Sequence, residues 1–284
     1  MGKRSGPWGE YVRYPQDRMT NPYFNLTEEF NAEGIIAVLA SGQAVVYYQI
    51  SMMSKDGDWI LRETPEACQR VLAVLERHGA RYRLGAPLDV RWLAGGWSSH
   101  FEMADPKGRR IRCDFVTRPP RVAPSELPGL FEPRPAEALR VVDIEPLIRM
   151  KQTQRAKDYP VIGELARLLP PEREIEWTTD PDRIFALAPA YGERSLRPPV
   201  QAALAGGTRE AVVVELAKEL DRLQQRDRAR IETYKAASEA YLREFQAGGL
   251  GALELREAHR RLCELAERLL PRNPFLPEDR DGAA

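Results

Sequence analysis

The chain has 284 residues, enough for one large domain or two ordinary ones with real cores. Its 42 basic and 42 acidic residues balance, which excludes a protein that works as an overall polycation or polyanion and leaves charge complementarity to local patches. Three widely spaced cysteines without CxxC spacing exclude a disulfide framework and a zinc site, and no apolar stretch approaches the roughly 18 residues of a membrane span, so a reduced, cytoplasmic chain with no membrane partner is expected.

In chain order, residues 1–25 mix Pro, Gly, Asn and aromatic residues without periodicity and read as an irregular arm. Thr27 is placed to cap a short helix containing Glu28, Glu29 and Phe30, and the apolar run Ile35 to Leu39 has the length of a buried strand. A turn at Ser41-Gly42 leads to a short helix over 43–50, and Asp58 to Arg62 forms a second strand. Thr64-Pro-Glu opens an amphipathic helix that ends by Gly79, with Ala67, Val71, Leu72, Val74 and Leu75 on its apolar face. Residues 81–84 and 88–93 have the pattern of short strands, and 100–103 faces 110–116 across the turn at Asp105-Pro-Lys-Gly108 as an antiparallel hairpin.

A Pro-rich linker over 119–140 follows. Beyond it helices are predicted over 146–158, 161–169, 181–187, 208–245 and 253–269. The stretch 224–235 is nearly all polar and is expected to project into solvent, and a loose tail begins at 274. The expected organisation is therefore an arm (1–25), an α/β domain (26–118), the linker (119–140), a helical domain (141–273) and the tail (274–284). The fold class is α+β: a mixed β-sheet with flanking helices, followed by a mostly α-helical C-terminal domain.

Chemistry concentrates at Asp56 and Asp58. Two carboxylates at i and i+2 at the start of a strand project to one side and suit a hard cation. The Gly42 turn lies fourteen residues upstream, and Asp114 alternates with Ile111, Cys113 and Phe115 on a later strand. Three acids converging from neighbouring strands suit a Mg²⁺ ion and an attacking hydroxyl. The histidines His78, His100 and His259 are scattered and offer no hydrolase triad; His100, behind Gly95-Gly-Trp-Ser-Ser99, is the one within reach of the cleft. Lys107, Arg109, Arg110 and Arg112 could guide a phosphate-bearing acceptor such as an RNA end.

Residues Ile35 to Asp58 resemble the signature of the nucleotidyltransferase superfamily: an apolar strand, a glycine turn followed by x-Ala, a short helix, and an Arg-x-Thr-x-Asp-x-Asp run. Ser41-Gly42-Gln43-Ala44 stands at the turn, and Met52, Ser54, Asp56 and Asp58 fall on the four named places of the run. A second block, Leu147 to Leu165 with Lys151, Arg155, Lys157 and Asp158, is similar to the helix pair behind the catalytic sheet of small bacterial nucleotidyltransferases, including those of toxin and abortive-infection systems. The resemblance spans roughly 33–169. It implies Mg²⁺-dependent transfer of a nucleoside monophosphate from NTP to a hydroxyl of RNA, protein or a small molecule. It also implies Asp56, Asp58 and Asp114 as metal-binding and catalytic residues, Ser41, Gly42 and Ser54 on the nucleotide, Lys151 and Arg155 one helical turn apart on its phosphates, and an antitoxin-like partner where the setting is defence. Two departures stand beside the acids. Met52 replaces the basic residue and Gly57 an apolar one, so a degenerate binding or scaffold protein on the same fold is the alternative.

Overall fold

The computed structural model describes residues 21–133 and 139–275. The predicted arm and tail fall largely outside them. The architecture is α+β: one five-stranded mixed sheet with flanking helices and a helical C-terminal region.

Helix α1 (Pro22–Phe30) begins earlier than expected because the Asn21 side chain accepts from Tyr23 N and Pro22 occupies the first turn. Thr27 is consequently not a cap: it is buried inside α1, donates its hydroxyl to Tyr23 O at 2.7 Å and accepts from Trp59 Nε1 at 2.8 Å. Strand β1 (Ala37–Ala40) runs without a loop into α2 (Ser41–Tyr47), followed by β2 (Asp56–Leu61) and by α3 (Pro65–Arg77), which Thr64 caps through Ala67 N. After β3 (Arg81–Gly85) the expected strand over 88–93 is instead the helical turn α4 (Val90–Leu93). Asp89 accepts from Arg91 N, and this cap overrides the alternating pattern of Leu88, Val90 and Trp92. Strands β4 (Ser99–Ala104) and β5 (Arg110–Val116) form the expected antiparallel hairpin.

The strand order is β1-β2-β5-β4-β3, with β2 and β5 parallel and the other neighbours antiparallel. One face carries an aromatic row, Trp59, Phe115, Phe101 and Tyr82, with Phe30 from α1 set edge-on against Trp59 and Phe115. Alternation puts Asp56, Asp58, Asp114 and His100 on the other face. The outer edge of β1 is closed by the segment at 140–142, where Leu39 N donates to Arg140 O and Val142 N to Leu39 O.

The helical region comprises α5 (Leu127–Leu130), α6 (Ile144–Lys151), α7 (Asp158–Ala166), α8 (Pro171–Trp177), α9 (Pro181–Tyr191), α10 (Pro198–Leu204), α11 (Arg209–Ala247) and α12 (Leu255–Leu269). The single helix expected over 146–158 breaks after Lys151. Between α6 and α7 the backbone bonds to side chains instead: Arg155 N donates to Thr153 Oγ1 and Gln154 N to Asp227 Oδ2. The polar stretch of α11 faces solvent as expected except at one residue. Asp227, 1% exposed, holds Arg121 at 2.8 Å, Arg230 at 3.0 Å and that Gln154 amide at 2.9 Å. Arg121 itself adopts a left-handed conformation, φ 63°, which this carboxylate secures. Among the described residues no helix is long and apolar enough to cross a membrane.

Asp227 therefore fastens the loop after β5, the α6–α7 connection and α11 at one point. Asp227→Ala strands a half-buried guanidinium and should destabilise the protein by about 3 kcal/mol in urea titration. A loss within about 0.5 kcal/mol, the range of an ordinary surface change, would show the junction to be solvated.

Candidate functional site

The site is built on register. Parallel pairing sets Asp58 opposite Asp114 and Asp56 opposite Arg112, while the β4–β5 hairpin sets His100 opposite Asp114. Ala40, the last residue of β1, lies opposite Asp58, so Ser41 begins α2 beside the same carboxylate. A lateral row of Ser41, Asp58, Asp114 and His100 thus crosses four strands, with Asp56 and Arg112 one pleat away.

The turn at Ser41-Gly42 is tight for identifiable reasons. Ser41 has φ 50°, and a Cβ at position 42 would stand 2.2 Å from Ser54 Oγ, so only glycine fits against that loop. The loop before β2 is fastened by residues without a motif: Gln43 Nε2 donates to Ser54 O at 3.0 Å, Asn21 Nδ2 to Gln43 Oε1 at 3.1 Å, and the Tyr23 hydroxyl to Lys55 O at 2.6 Å. Sequence reading missed Asn21, Tyr23 and Gln43, because their partners are backbone or side-chain atoms that only the fold brings near. Gly57 does not loosen the strand. A Cβ there would come 2.4 Å from Tyr23 Cδ1 and 2.5 Å from Trp59 Cη2, so the glycine admits the ring of Tyr23. Met52 is 99% exposed.

Two of the three acids meet a cation of the chain. Asp56 Oδ1 lies 3.5 Å from Arg112 Nη1. Asp114 Oδ1 lies 2.8 Å from His100 Nδ1 and 3.5 Å from Arg83 Nη2, and His100 Nε2 lies 2.8 Å from Ser98 Oγ. Asp58 has the least compensated charge: burial, then the negative charges of Asp114 and Asp56, push its carboxyl up to about 6, opposed by Lys151 and by the Ser41 hydroxyl. Lys151, buried at the end of α6, has its ammonium pKa lowered by desolvation, against the pull of Asp158 and Asp58.

Lys151 and Arg155 do not share a helix face. The break after α6 separates them, and Asp158 gathers both, with Lys151 Nζ at 3.9 Å and Arg155 Nε at 2.8 Å from its carboxylate. Arg155 is half-exposed and bound to Asp158, whereas Lys151 is the cation whose charge reaches Asp58. At the hairpin tip Arg109 is held by Asp105 at 2.7 Å, and a hollow of about 490 Å³ opens between the tip, Tyr23, Met52, Met53 and Asp56. A larger hollow of about 880 Å³ lies among α7, α8, α9 and α11; none of the three acids borders it, and its Arg197 is already forked onto Glu219.

The three cysteines are free thiols, and burial pushes all three up, which leaves them unreactive. Among the described residues no group of three His, Cys, Asp or Glu side chains is arranged to hold a metal ion by itself. The carboxylates nonetheless have the oxygen chemistry of a magnesium site that takes one or two side chains and completes its shell with substrate phosphates, and the repulsion at Asp58 is what a cation there would relieve.

No family model matches the chain, and no curated protein matches it. Two solved structures from Helicobacter pylori are similar at 15% identity and a TM-score of 0.37. One, described as a nucleotidyltransferase candidate, covers 73% of this chain and 94% of its own; the other, JHP933, covers 75% and 94%. Superposition at that level leaves the residue-level reading to stand by itself.

The Asp58 carboxyl titrates near pH 3.8 in the unfolded chain and near 6 in the fold. Between those values the folded state holds the extra proton, so this group's contribution lowers stability as pH rises from about 4 to about 6, and the loss is complete above that. Asp58→Asn should therefore raise the thermal midpoint at pH 7.5 and leave it unchanged near pH 3.5. An equal gain at both pH values would mean that charge is not the cause.

Proposed function

We propose that the protein is a nucleotidyltransferase that moves a nucleoside monophosphate from an NTP to a hydroxyl, releasing pyrophosphate. The observation that carries this reading is the pairing of Asp58 with Asp114 in register, beside Ser41 and under the charge of Lys151. Asp56 and Asp58 would hold Mg²⁺ together with the nucleotide phosphates; when bound, the ion supplies charge neutralisation at the reacting phosphorus.

The chain's own residues divide the remaining work. Ser41 and Gly42 bring backbone close to the phosphates, with Ser54 packed behind the turn. Lys151, desolvated and fixed by Asp158, offers a positive charge from the helical side, while Arg155 reaches the cleft only by leaving Asp158. Asp114 orients the acceptor hydroxyl and takes up its proton, with His100 beside it. RNA, a protein side chain and a small molecule are the acceptor classes, and a defence setting with an antitoxin-like partner rests on the resemblance of the Lys151 block.

A second reading, a non-turnover binding fold, is favoured by Met52: the place of a basic residue is taken by an exposed apolar side chain. Thermal shift on the intact protein separates the two. Mg²⁺ with one of the four NTPs should raise the midpoint by several degrees, and the Asp56→Ala/Asp58→Ala variant should lose that rise. No NTP-dependent, Mg²⁺-dependent shift would overturn the enzyme reading, and a shift that survives the double variant would overturn the metal assignment. Labelled NTP incubated with cell extract then shows which pool, RNA, protein or small molecules, takes the label.

A further inference from the structure

Several arginines away from the sheet's polar face are forked and short on a carboxylate: Arg118 on Glu63 at 2.8 and 2.8 Å, Arg173 on Glu145 at 2.7 and 2.7 Å, Arg183 on Glu174 at 2.7 and 2.5 Å. Both ends of such a guanidinium are satisfied. On the polar face, Arg83 meets Asp114 at 3.5 Å and Arg112 meets Asp56 at 3.5 Å, each through a single nitrogen. The Nε of both is buried without a hydrogen-bond partner. So are His100 Nδ1 and Asp114 Oδ1, which approach to 2.8 Å without the alignment of a hydrogen bond. Among the described residues, four of the eight buried side-chain polar atoms lacking a partner therefore lie on this one patch. Buried donors of this kind are ordinarily satisfied, so the patch is built for a partner it does not contain.

Its position says which partner. The strand order β1-β2-β5-β4-β3 puts Ser41 and Lys151 on the β1 and α6 side of the acids, and Arg83 and Arg112 on the β3 and β5 side. Both arginines keep more than a quarter of their side chains exposed and are reachable. A fork with a free edge fits a phosphate, and a phosphate here would lie next to the hydroxyl that Asp114 orients. We propose that Arg83 and Arg112 form an anion subsite for the acceptor, which carries a phosphate beside its attacking hydroxyl. This assignment to the acceptor rests on the nucleotidyltransferase reading; the anion site itself does not.

The test is titration of the full-length protein with inorganic phosphate, without metal, followed through the arginine Nε–H resonances. The Arg83 and Arg112 signals should both shift and saturate. Arg83→Gln and Arg112→Gln should each weaken binding at this site about tenfold, Arg→Lys at either position less, and Lys218→Gln on α11 should leave it unchanged. Binding of NTP with Mg²⁺ should be equal in wild type and Arg83→Gln, whose guanidinium touches neither Asp56 nor Asp58. Undiminished phosphate affinity in Arg83→Gln/Arg112→Gln overturns the subsite; loss of NTP affinity in Arg83→Gln overturns its assignment to the acceptor. If phosphate binds as described but no NTP binds with Mg²⁺, the subsite stands as an anion site and the transferase reading falls. Glycerol phosphate and a short oligonucleotide with a free 3′-hydroxyl then compete against phosphate; the tighter competitor identifies a small phosphorylated alcohol or a nucleic-acid end as the source, and failure of both to displace phosphate overturns the acceptor assignment.

Discussion

The site depends on one contact, the parallel pairing of β2 with β5. Its register is enforced from the opposite face, where the Trp59 and Phe115 rings stack at 5.2 Å and 19° and the row continues through Phe101 to Tyr82. Because side chains alternate, a slip of β2 by one residue would drive Asp56 and Asp58 into that aromatic layer and lift Trp59 out of it, whereas the correct register leaves the acids of both strands on the polar face. Buried aromatic area contributes far more than two carboxylates lose by being set together, so hydrophobic packing holds an electrostatically unfavourable arrangement in place. The Trp59 indole is held in turn by Thr27, whose hydroxyl joins α1 to β2.

What the acids lack in solvation, the helical region supplies in charge. Lys151 reaches Asp58 only because α6 stops there, and α6 stops because Thr153, Asp158 and Asp227 offer the following backbone and side chains better partners than another helical turn. A continuous helix would have carried Arg155 onto the same face as Lys151. The break instead lets Asp158 hold both cations and present one of them. Asp227 anchors the connection to α11 and to Arg121 beyond β5, so the long helix positions a sheet-side charge that it does not itself contact.

Much of this was legible in the chain and some of it could not be. The strands of the β4–β5 hairpin, the α3 cap at Thr64, and the placing of Asp58 and Asp114 on neighbouring strands follow from local pattern, since alternation and capping act within a few residues. The errors occur where a distant group decides. Leu88 to Leu93 alternates like a strand, but the Asp89 cap and the burial of Trp92 and Leu93 make it helical. The polar stretch of α11 lacks an apolar stripe, yet Asp227 is buried because Arg121, 106 residues away, needs it. Gly57 invites the reading of a loose strand until the Tyr23 ring, from a segment without periodicity, is seen against it. The candidate acids were legible because their spacing is local; among their cations Lys151 and Arg112 were too, but Arg83 and the pairing of each cation with its acid were not, because sheet order and a helix break decide them.

Those cations also offset the repulsion among the three acids. Asp56 lies beside Arg112, and Asp114 beside Arg83 and His100, while Asp58 has only the more distant charge of Lys151, so the acids are partly neutralised before anything binds. The neutrality is uneven in kind. Lys151 is buried and fixed by Asp158, and it stabilises whatever charge Asp58 carries; Arg83 and Arg112 make long, single contacts that a better partner would replace at little cost. A phosphate arriving on that side would strengthen its own hold as it loosened the arginines from the acids. Those carboxylates would then be free to take up other positive charge. Under the proposed chemistry, ligand entry and preparation of the acids become one electrostatic event, because the same guanidiniums serve both.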